Sequence, residues 1–333
     1  MSKYTYKQQG NVGLFDKEMT TAKLNSKGNP LDRLTKAIDF EMFREILETA
    51  LFKKKMTNSG AKPYDYVLMF KILVLQRFYH LSNEQTEYQI IDRLSFRNFL
   101  GLSSGDRIPD ANTIWLFKEQ LTKLNLFEKL FDKFYKMLED KELIMNEGVM
   151  VDGSFVEVPR QRNSRAENAE IKEGRGDGLW TSDDERNKRI HKDIDARWTV
   201  KNNQNHYGYK NHVNVDTKSK FIKKGVTTDA SVHDSKATEK LINEKDKGQP
   251  FFADSAYIGA AVKKILRHNN MKDRIIKRNT KNKTISKRQE TINKRNSKVR
   301  VRVEHVFGFC EQNLRGMYSR AVGFLRNAAF NTL

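Results

Sequence analysis

Three carboxylates interrupt apolar stretches of the chain, and this limits how the chain can fold. Asp152 and Asp254 lie in or at the end of short, apolar, strand-like runs, and Glu304 lies in a helical pattern that follows a basic stretch. A charged group is costly to bury unless its charge is compensated. The fold must therefore place these acids where an opposite charge or a cation can reach them.

The net charge of the chain points to a polyanionic partner. The 333 residues include 62 Lys and Arg against 42 Asp and Glu, a formal charge of +20. Such an excess is typical of proteins that bind nucleic acid. A basic surface that serves only solubility is the alternative that charge alone leaves open.

Other classes of protein are disfavoured by composition. The lone cysteine, Cys310, excludes an internal disulfide and a cysteine zinc cluster. His206, His212 and His233 lack the spacing of a zinc finger. No run approaches the roughly 18 apolar residues of a membrane span, and the amino terminus lacks the apolar core of a secretory signal. We therefore expect a cytoplasmic protein without a membrane partner.

The periodicity of apolar residues divides the chain into three parts. Residues 1–30 are polar and predicted to be mobile, residues 31–145 have a helical pattern, and residues 146–333 form an α/β part. The helical part is predicted to be a DNA-binding domain of the helix-turn-helix type, although a plain helical bundle fits the pattern equally well.

The α/β part begins with strand-like alternation and contains a polar insertion, about residues 161–205, that is predicted to be a long loop. The predicted strands are residues 148–158, 207–215, 221–228, 249–254 and 271–277, and the predicted helices are 234–243, 258–267 and 297–314. This β-β-β-α-β-α-β-α order resembles the ribonuclease-H-like fold. That topology would bring the three acids to one edge of the sheet.

Several sequence blocks carry a resemblance to a known family. In chain order they are residues 63–76, 92–101, 108–113, 196–200, 206–212, 226–234, 253–257 and 302–308. Together they resemble the bacterial insertion-sequence transposases of the DDE class, specifically insertion-sequence family 5. The resemblance extends from about residue 63 to residue 316.

The resemblance implies an enzyme that cuts double-stranded DNA at the terminal inverted repeats of its element and joins the ends to target DNA. Asp152 and Asp254 match the two catalytic aspartates of the family and Glu304 matches the glutamate. The implied cofactor is a pair of Mg²⁺ ions, for which Mn²⁺ can substitute. The implied working form is a homodimer on DNA.

The residue types fit that chemistry independently. Two hard cations about 4 Å apart can activate water and stabilise a leaving oxygen, and carboxylate oxygens are their natural ligands. In this interpretation Asp152 bridges both ions and Asp254 binds one of them. Glu304 binds the other ion or orients the attacking water. Taken singly, each acid could equally be a surface carboxylate paired with a base.

The family resemblance is incomplete around Glu304. The wider superfamily has a Tyr-Arg-Glu-Lys signature, in which Arg300 matches the arginine, but Ser297 and Glu311 replace the tyrosine and lysine. An ordinary i,i+4 ion pair with Glu304 is the alternative for Arg300. The family also implies a longer final helix than the chain contains before Leu333. A catalytically inactive, transposase-derived DNA-binding protein therefore remains the alternative function.

A basic stretch precedes Glu304 and is predicted to follow DNA phosphates. Residues 263–302 hold most of it, interleaved with Asn and Thr. The predicted DNA contacts are Lys277, Arg278, Lys281, Lys283, Lys287, Arg288, Lys294, Arg295, Lys298, Arg300 and Arg302.

Three further side chains have alternative roles. Trp180 and Trp198 could stack on an unpaired base near the cut. For Trp198 packing in the core is the favoured interpretation, and for Trp180 the two roles stay open. His305 is expected to have a surface or packing role, because it points about 100° away from Glu304 around a helix.

Overall fold

The computed structural model of the protein describes residues 13–52, 62–279 and 284–333. The chain divides into two compact units, Met1–Lys118 and Glu119–Leu333. The division falls inside a helix. The domain boundaries expected at residues 30 and 145 remain predictions, as does the mobility of residues 1–30.

The first unit is helical, as its apolar pattern predicts. Side-chain caps define several helix starts. In the capping box of one of them the Ser82 hydroxyl accepts from the Gln85 N–H, and the Gln85 side chain accepts from the Ser82 N–H. The helices are α1 (Asp16–Ser26), α2 (Pro30–Ala37), α3 (Arg44–Leu51), α4 (Tyr66–Phe78), α5 (Asn83–Asp92), α6 (Leu94–Leu100) and α7 (Ala111–Lys123).

Helix α4 forms the centre of this unit. Ile72, Leu73 and Leu75 are fully buried, as expected of a run as apolar as residues 66–79. Leu68 N–H donates to the Asp65 carboxylate at its start. Of the helices in the described ranges, none has the length and apolar character needed to cross a membrane.

The second unit contains the sheet. Its elements are α8 (Leu126–Asp140), β1 (Val149–Glu157), α9 (Arg165–Lys172), α10 (Arg186–His191), β2 (Arg197–Lys201), β3 (Gln204–Asp216), β4 (Ile222–Asp229), α11 (Thr238–Leu241), β5 (Pro250–Phe252), α12 (Ala260–His268), β6 (Lys272–Asp273), α13 (Lys287–Leu314) and α14 (Phe324–Thr332).

The sheet combines antiparallel and parallel pairs. Its main path is β2-β3-β1-β5-β6, and β4 also pairs with β3. Strands β1, β2 and β4 are antiparallel to β3, whereas β1, β5 and β6 run parallel. All five predicted strands are present in the predicted order, and β2 is an additional strand inside the insertion.

Successive side chains of β1 point to opposite faces of the sheet, so the strand contributes apolar residues to a core on each face. On one face Met150 packs with Val213, Val215 and Val303 of α13. On the other face Val149 and Val151 pack with residues of α11 and α12. Helix α13 is therefore fixed against the strand that carries Asp152.

The polar insertion is not the long loop that its composition predicts. Helix α9 begins at a capping box, in which the Glu167 N–H donates to the Ser164 hydroxyl and the Ser164 N–H donates to the Glu167 carboxylate. The buried Asp193 carboxylate accepts from the hydroxyl of Tyr209 in β3, at 2.8 Å and 2.9 Å to its two oxygens. These contacts order the insertion against the sheet.

Helix α13 begins ten residues before the predicted helix start at residue 297. The Ser286 hydroxyl accepts from the Gln289 N–H, which caps the helix at its observed start. Apart from the single Ile292, the apolar residues of the helix lie from Val299 onwards, so the apolar pattern alone indicated too late a start.

Candidate active site

Asp152 and Asp254 lie side by side because of the register between two parallel strands. Met150 in β1 pairs with Phe252 in β5. Each aspartate lies two residues beyond its member of that pair. Side chains two residues apart in extended backbone point to the same side of a sheet. The register therefore places the two carboxylates next to each other beyond the carboxyl end of β5.

The Asp152 carboxylate is mostly enclosed. Its side chain is 15% exposed, and its Oδ1 accepts from the Gly153 N–H at 2.9 Å. Burial raises the pKa of Asp152 to about 6, and the nearby Asp254 charge adds to that rise while Arg300 opposes it. The positive charge near Asp152 therefore does not fully offset the cost of burying its ionised carboxylate, and a bound cation would stabilise that ionised form.

Asp254 occupies the turn that follows β5. Its Oδ1 accepts from the Ala256 N–H at 2.8 Å, which caps the short helical turn Ser255–Tyr257. This contact engages one carboxylate oxygen and fixes the direction of the side chain.

Glu304 is connected to the two aspartates through Arg300. The Arg300 guanidinium donates to Asp152 Oδ2 at 2.9 Å and to Glu304 Oε1 at 2.5 Å. Arg300 and Glu304 are one turn apart on α13, so one side chain can join the helix to the strand. The predicted i,i+4 ion pair is present, and it extends to Asp152.

The acids do not form a ready-made ligand cage. Within the described ranges no three His, Cys, Asp or Glu side chains are gathered closely enough to hold a metal ion. The reason is local: the positive charge of Arg300 lies between Asp152 and Glu304, and the Glu304 side chain is 52% exposed. Asp152 and Asp254 together offer hard carboxylate oxygens of the kind that magnesium prefers.

A cluster of buried polar side chains, His212, Lys210 and Asp234, lies on the face of β1 opposite Asp152. A Cβ atom added to Gly153 would come within 2.8 Å of His212 Nδ1, so only glycine fits here without displacing the imidazole. Lys210 forms an ion pair with Asp234 at 2.9 Å, and both side chains are nearly buried. Burial lowers the pKa of His212 to about 4. The imidazole is therefore neutral at physiological pH.

An aromatic and basic patch adjoins this group on β1, β2 and β3. The Phe155 ring stacks on the His206 ring, with centroids 4.1 Å apart. The ammonium groups of Lys201 and Lys210 lie 5.6 Å and 5.3 Å from the Phe155 centroid. Sequence reasoning did not single out Gly153, Phe155 or Lys201. The glycine directly after Asp152 was a visible signal, whereas the stacking depends on strand pairing.

Most of the predicted DNA contacts are exposed. Two of them are partly enclosed: Arg300 pairs with Asp152 and Glu304, and Arg302 Nη1 donates to the Thr217 carbonyl at 2.7 Å. Lys281 and Lys283 lie outside the described residues. The exposed members are Lys277, Arg278, Lys287, Arg288, Lys294, Arg295 and Lys298.

The structure corrects the expectation for Trp198 and places Trp180, whose role was open, in the interior. Trp198, expected in the core, is 48% exposed and lies between the Tyr207 ring and the Arg160 guanidinium. Trp180 is 5% exposed, and its Nε1–H donates to the Glu167 carboxylate at 2.8 Å. The pattern of polar neighbours did not distinguish them. His305 is on the surface, as expected.

Comparison with known proteins gives two family matches. Residues 19–120 match the family described as "Transposase domain (DUF772)", and residues 145–333 match "Transposase DDE domain". The second match covers more than half of the chain. The chain therefore belongs to the DDE transposase domain family, whose fold is ribonuclease-H-like, and it is a DNA transposase of the insertion-sequence type.

One solved structure is a distant match. It is the cryo-EM structure of a piggyBac transposase synaptic complex with hairpin DNA. The two chains are 13% identical, the match covers 88% of this chain and 73% of that chain, and the TM-score is 0.39. A likeness at this level supports no conclusion about the present chain.

Proposed function

We propose that the chain is an active transposase of insertion-sequence family 5 that binds the inverted repeats of its element, cleaves the strands there and joins them to target DNA. Asp152, Asp254 and Glu304 form its catalytic set, and residues 31–145 are its helical DNA-binding domain. The observation that carries the proposal is the parallel register of β1 and β5, which places Asp152 beside Asp254.

In the proposal, a pair of Mg²⁺ ions binds at this edge of the sheet once Arg300 no longer pairs with Asp152 and Glu304, because these acids are not gathered around a cation site while those ion pairs hold. Asp152 and Asp254 offer adjacent carboxylates, and Asp152 lacks full compensation for its charge when ionised. Both aspartates and Glu304 would hold the ions, with Mn²⁺ as a substitute. When bound, the ions supply an activated water and stabilise the leaving oxygen of the phosphodiester.

In the proposal, Arg300 pairs with the acids in the absence of DNA and with a DNA phosphate when DNA binds. Its guanidinium contacts two of the three acids and has a planar set of donors suited to phosphate. A DNA phosphate that competes for this guanidinium would free Asp152 and Glu304 from their ion pairs. Binding of substrate and release of the acids are therefore coupled in the proposal.

The exposed face of α13 is the proposed DNA track. At 100° per residue, Lys287, Lys294 and Lys298 lie within a narrow sector opposite the buried Asn296 and Val303. These lysines therefore present three charges along one side of a helix whose other side packs on the sheet.

We further infer that two copies of the chain hold the two DNA ends of the element.

Removing the three α13 lysines together, each replaced by Gln, is expected to weaken end binding and reduce its dependence on salt. The slope of log K against log salt should fall by roughly 0.9 for each phosphate that is no longer neutralised. Gel-shift titrations across a range of KCl concentrations measure this slope. Replacing three exposed lysines elsewhere in the same unit, Lys129, Lys136 and Lys240, is the matched control. Equal changes in slope for the two triple variants would contradict the proposed track.

The proposed chemistry is tested by magnesium-dependent nicking of a labelled duplex that carries the end of the element. Wild type is expected to nick in Mg²⁺ or Mn²⁺ and not in EDTA. Asp254→Ala is expected to lose nicking by roughly 10³-fold or more, because a ligand of the cations is gone.

Asp273→Ala is the matched control for Asp254→Ala. Asp273 also ends a parallel strand, and its Oδ1 accepts from the N–H two residues later, at 2.9 Å. Its removal is expected to leave nicking unchanged. Binding of the end by wild type without any nicking would instead support the inactive DNA-binding protein.

A further inference from the structure

Helix α12 carries a basic outer face. Its inner residues, Val262 and Leu266, are buried in the apolar cluster formed with β1, β5 and α11. Lys263, Lys264 and Arg267 are exposed, and at 100° per residue they lie within a sector of about 100° that excludes both buried residues. None of the nine residues of α12 is acidic. The outer face of α12, defined by these three cations, is therefore a purely positive surface.

Folding leaves the charges of this face unpaired. Among the residues that the structure describes, none forms an ion pair or a side-chain hydrogen bond with any of the three cations. In the polar insertion, by contrast, Lys188 pairs with Glu167 at 2.6 Å. Like charges one helical turn apart, such as those of Lys263 and Arg267, repel each other. A polyanion on the outer face of α12 would relieve that repulsion and would release its own counterions.

Helix α12 starts at the edge of the sheet where the two aspartates lie. Asp254 follows β5, and α12 begins six residues after Asp254. The cluster into which α12 packs lies on the face of the sheet opposite the cluster that contains Val303 of α13. The two basic helices therefore lie on opposite faces of one sheet, and a duplex along α12 would pass the edge that carries the acids.

We propose that the outer face of α12 binds the phosphate backbone of the target DNA duplex. The inference rests on the proposed function, in which strand transfer brings the target and the end of the element to the same acids. In that proposal the end lies along α13, so the opposite face of the sheet is left for the second duplex. Lysine and arginine contacts to phosphate do not read base sequence. They therefore suit a second duplex whose sequence need not match that of the end.

Capture of a second duplex tests the inference without any chemistry. Wild-type protein saturated in EDTA with unlabelled end duplex is expected to retain a labelled duplex of arbitrary sequence. Replacing Lys263, Lys264 and Arg267 together with Gln should weaken this capture roughly 10-fold or more at about 0.1 M salt. The slope of log K against log salt should also fall by roughly 0.9 for each phosphate that is no longer neutralised. Gel-shift binding of the end duplex itself should stay as in wild type, because α13 supplies it.

Strand transfer gives a second measurement. In Mg²⁺ the α12 triple variant is expected to nick the end duplex like wild type and to join it to a supercoiled plasmid roughly 10-fold less. A higher plasmid concentration should restore joining, since only the affinity for the target is lowered. The control removes the same charge from exposed residues of α7 and α8, by replacing Lys123, Lys129 and Lys136 with Gln. It is expected to leave capture and joining unchanged.

Two outcomes would overturn the inference. One is equal capture and joining by the α12 triple variant and its control. The other is a loss of end binding in the α12 variant as large as that of the α13 triple variant, because the face would then hold the end and not the target. A wild-type protein that never nicks the end duplex would overturn the proposed function, and the capture assay in EDTA would still decide the role of α12.

Discussion

The Asp152→Asn variant is expected to lose strand cleavage by roughly 10³-fold or more while still binding the DNA end. An amide is a poor ligand for a hard cation and carries no charge to neutralise it. Asp152 lies beside Asp254 and is joined to Glu304 through Arg300, so its loss affects every proposed ligand. Binding should persist because basic residues on α13 and elsewhere supply it.

The stability of Asp152→Asn separates loss of chemistry from loss of fold. Burial raises the pKa of Asp152 above its ordinary value of 3.8, so the folded state binds a proton more readily than the unfolded state. Free energy of unfolding is therefore lost as the pH rises from about 4 through about 6. At pH 7.5 in EDTA the variant, whose amide is neutral, is expected to unfold at the same urea concentration as wild type or higher.

Asp229→Asn provides the matched control for this experiment. Asp229 ends β4, is partly buried, and accepts from the Ser231 N–H at 2.9 Å, so the substitution changes the same charge on the same sheet. It is expected to leave cleavage and binding unchanged. If Asp152→Asn cleaved within a few-fold of Asp229→Asn, Asp152 would not be a ligand of the catalytic cations.

Asp152 and Asp254 stood out in the sequence because charge inside an apolar run is unusual and needs compensation, whereas Glu304 was singled out by the family resemblance, and the catalytic role of all three stays a prediction. The order of the five main strands was also predictable, since alternation and apolar runs mark each one. The adjacency of Asp152 and Asp254 was expected from the family topology, but it rests on the pairing of Met150 with Phe252. Pairing between strands so distant in the chain leaves no local signal.

The errors have a common physical origin in polar segments that tertiary contacts order. Composition indicated a loop for the insertion, yet Ser164 and Glu167 form a capping box that was visible in the sequence. Ser286 and Gln289 offered a similar signal for the start of α13. The burial of Trp180, the exposure of Trp198 and the enclosure of Tyr257 depend on packing partners far along the chain. Local patterns cannot supply those.

The largest stability effect is expected from Asp246→Ala, at a cost of roughly 3–5 kcal/mol. Asp246 and Lys223 form an ion pair in which both side chains are fully buried. Asp246 also accepts from Asn214 Nδ2 at 2.7 Å and from the Asn243 N–H at 2.8 Å. Removing the carboxylate leaves a buried ammonium whose remaining acceptor is Asn146. It also removes the acceptor of the Asn243 N–H and one of the two acceptors of Asn214 Nδ2, which keeps the Leu241 carbonyl. Urea unfolding followed by circular dichroism measures the loss.

A double variant shows whether the buried charge causes that loss. Lys223→Met in the Asp246→Ala background removes the uncompensated ammonium, so it is expected to recover much of the lost stability. Glu244→Ala, which breaks an exposed pair with Lys247, is expected to have little effect. Asn214 lies in β3, which pairs with β1 along its whole length, so this ion pair stabilises the strand directly beside Asp152. If Asp246→Ala lowered the free energy of unfolding no more than Glu244→Ala, the prediction would be wrong. The folded protein would then have rearranged so that water or another group solvates the Lys223 ammonium.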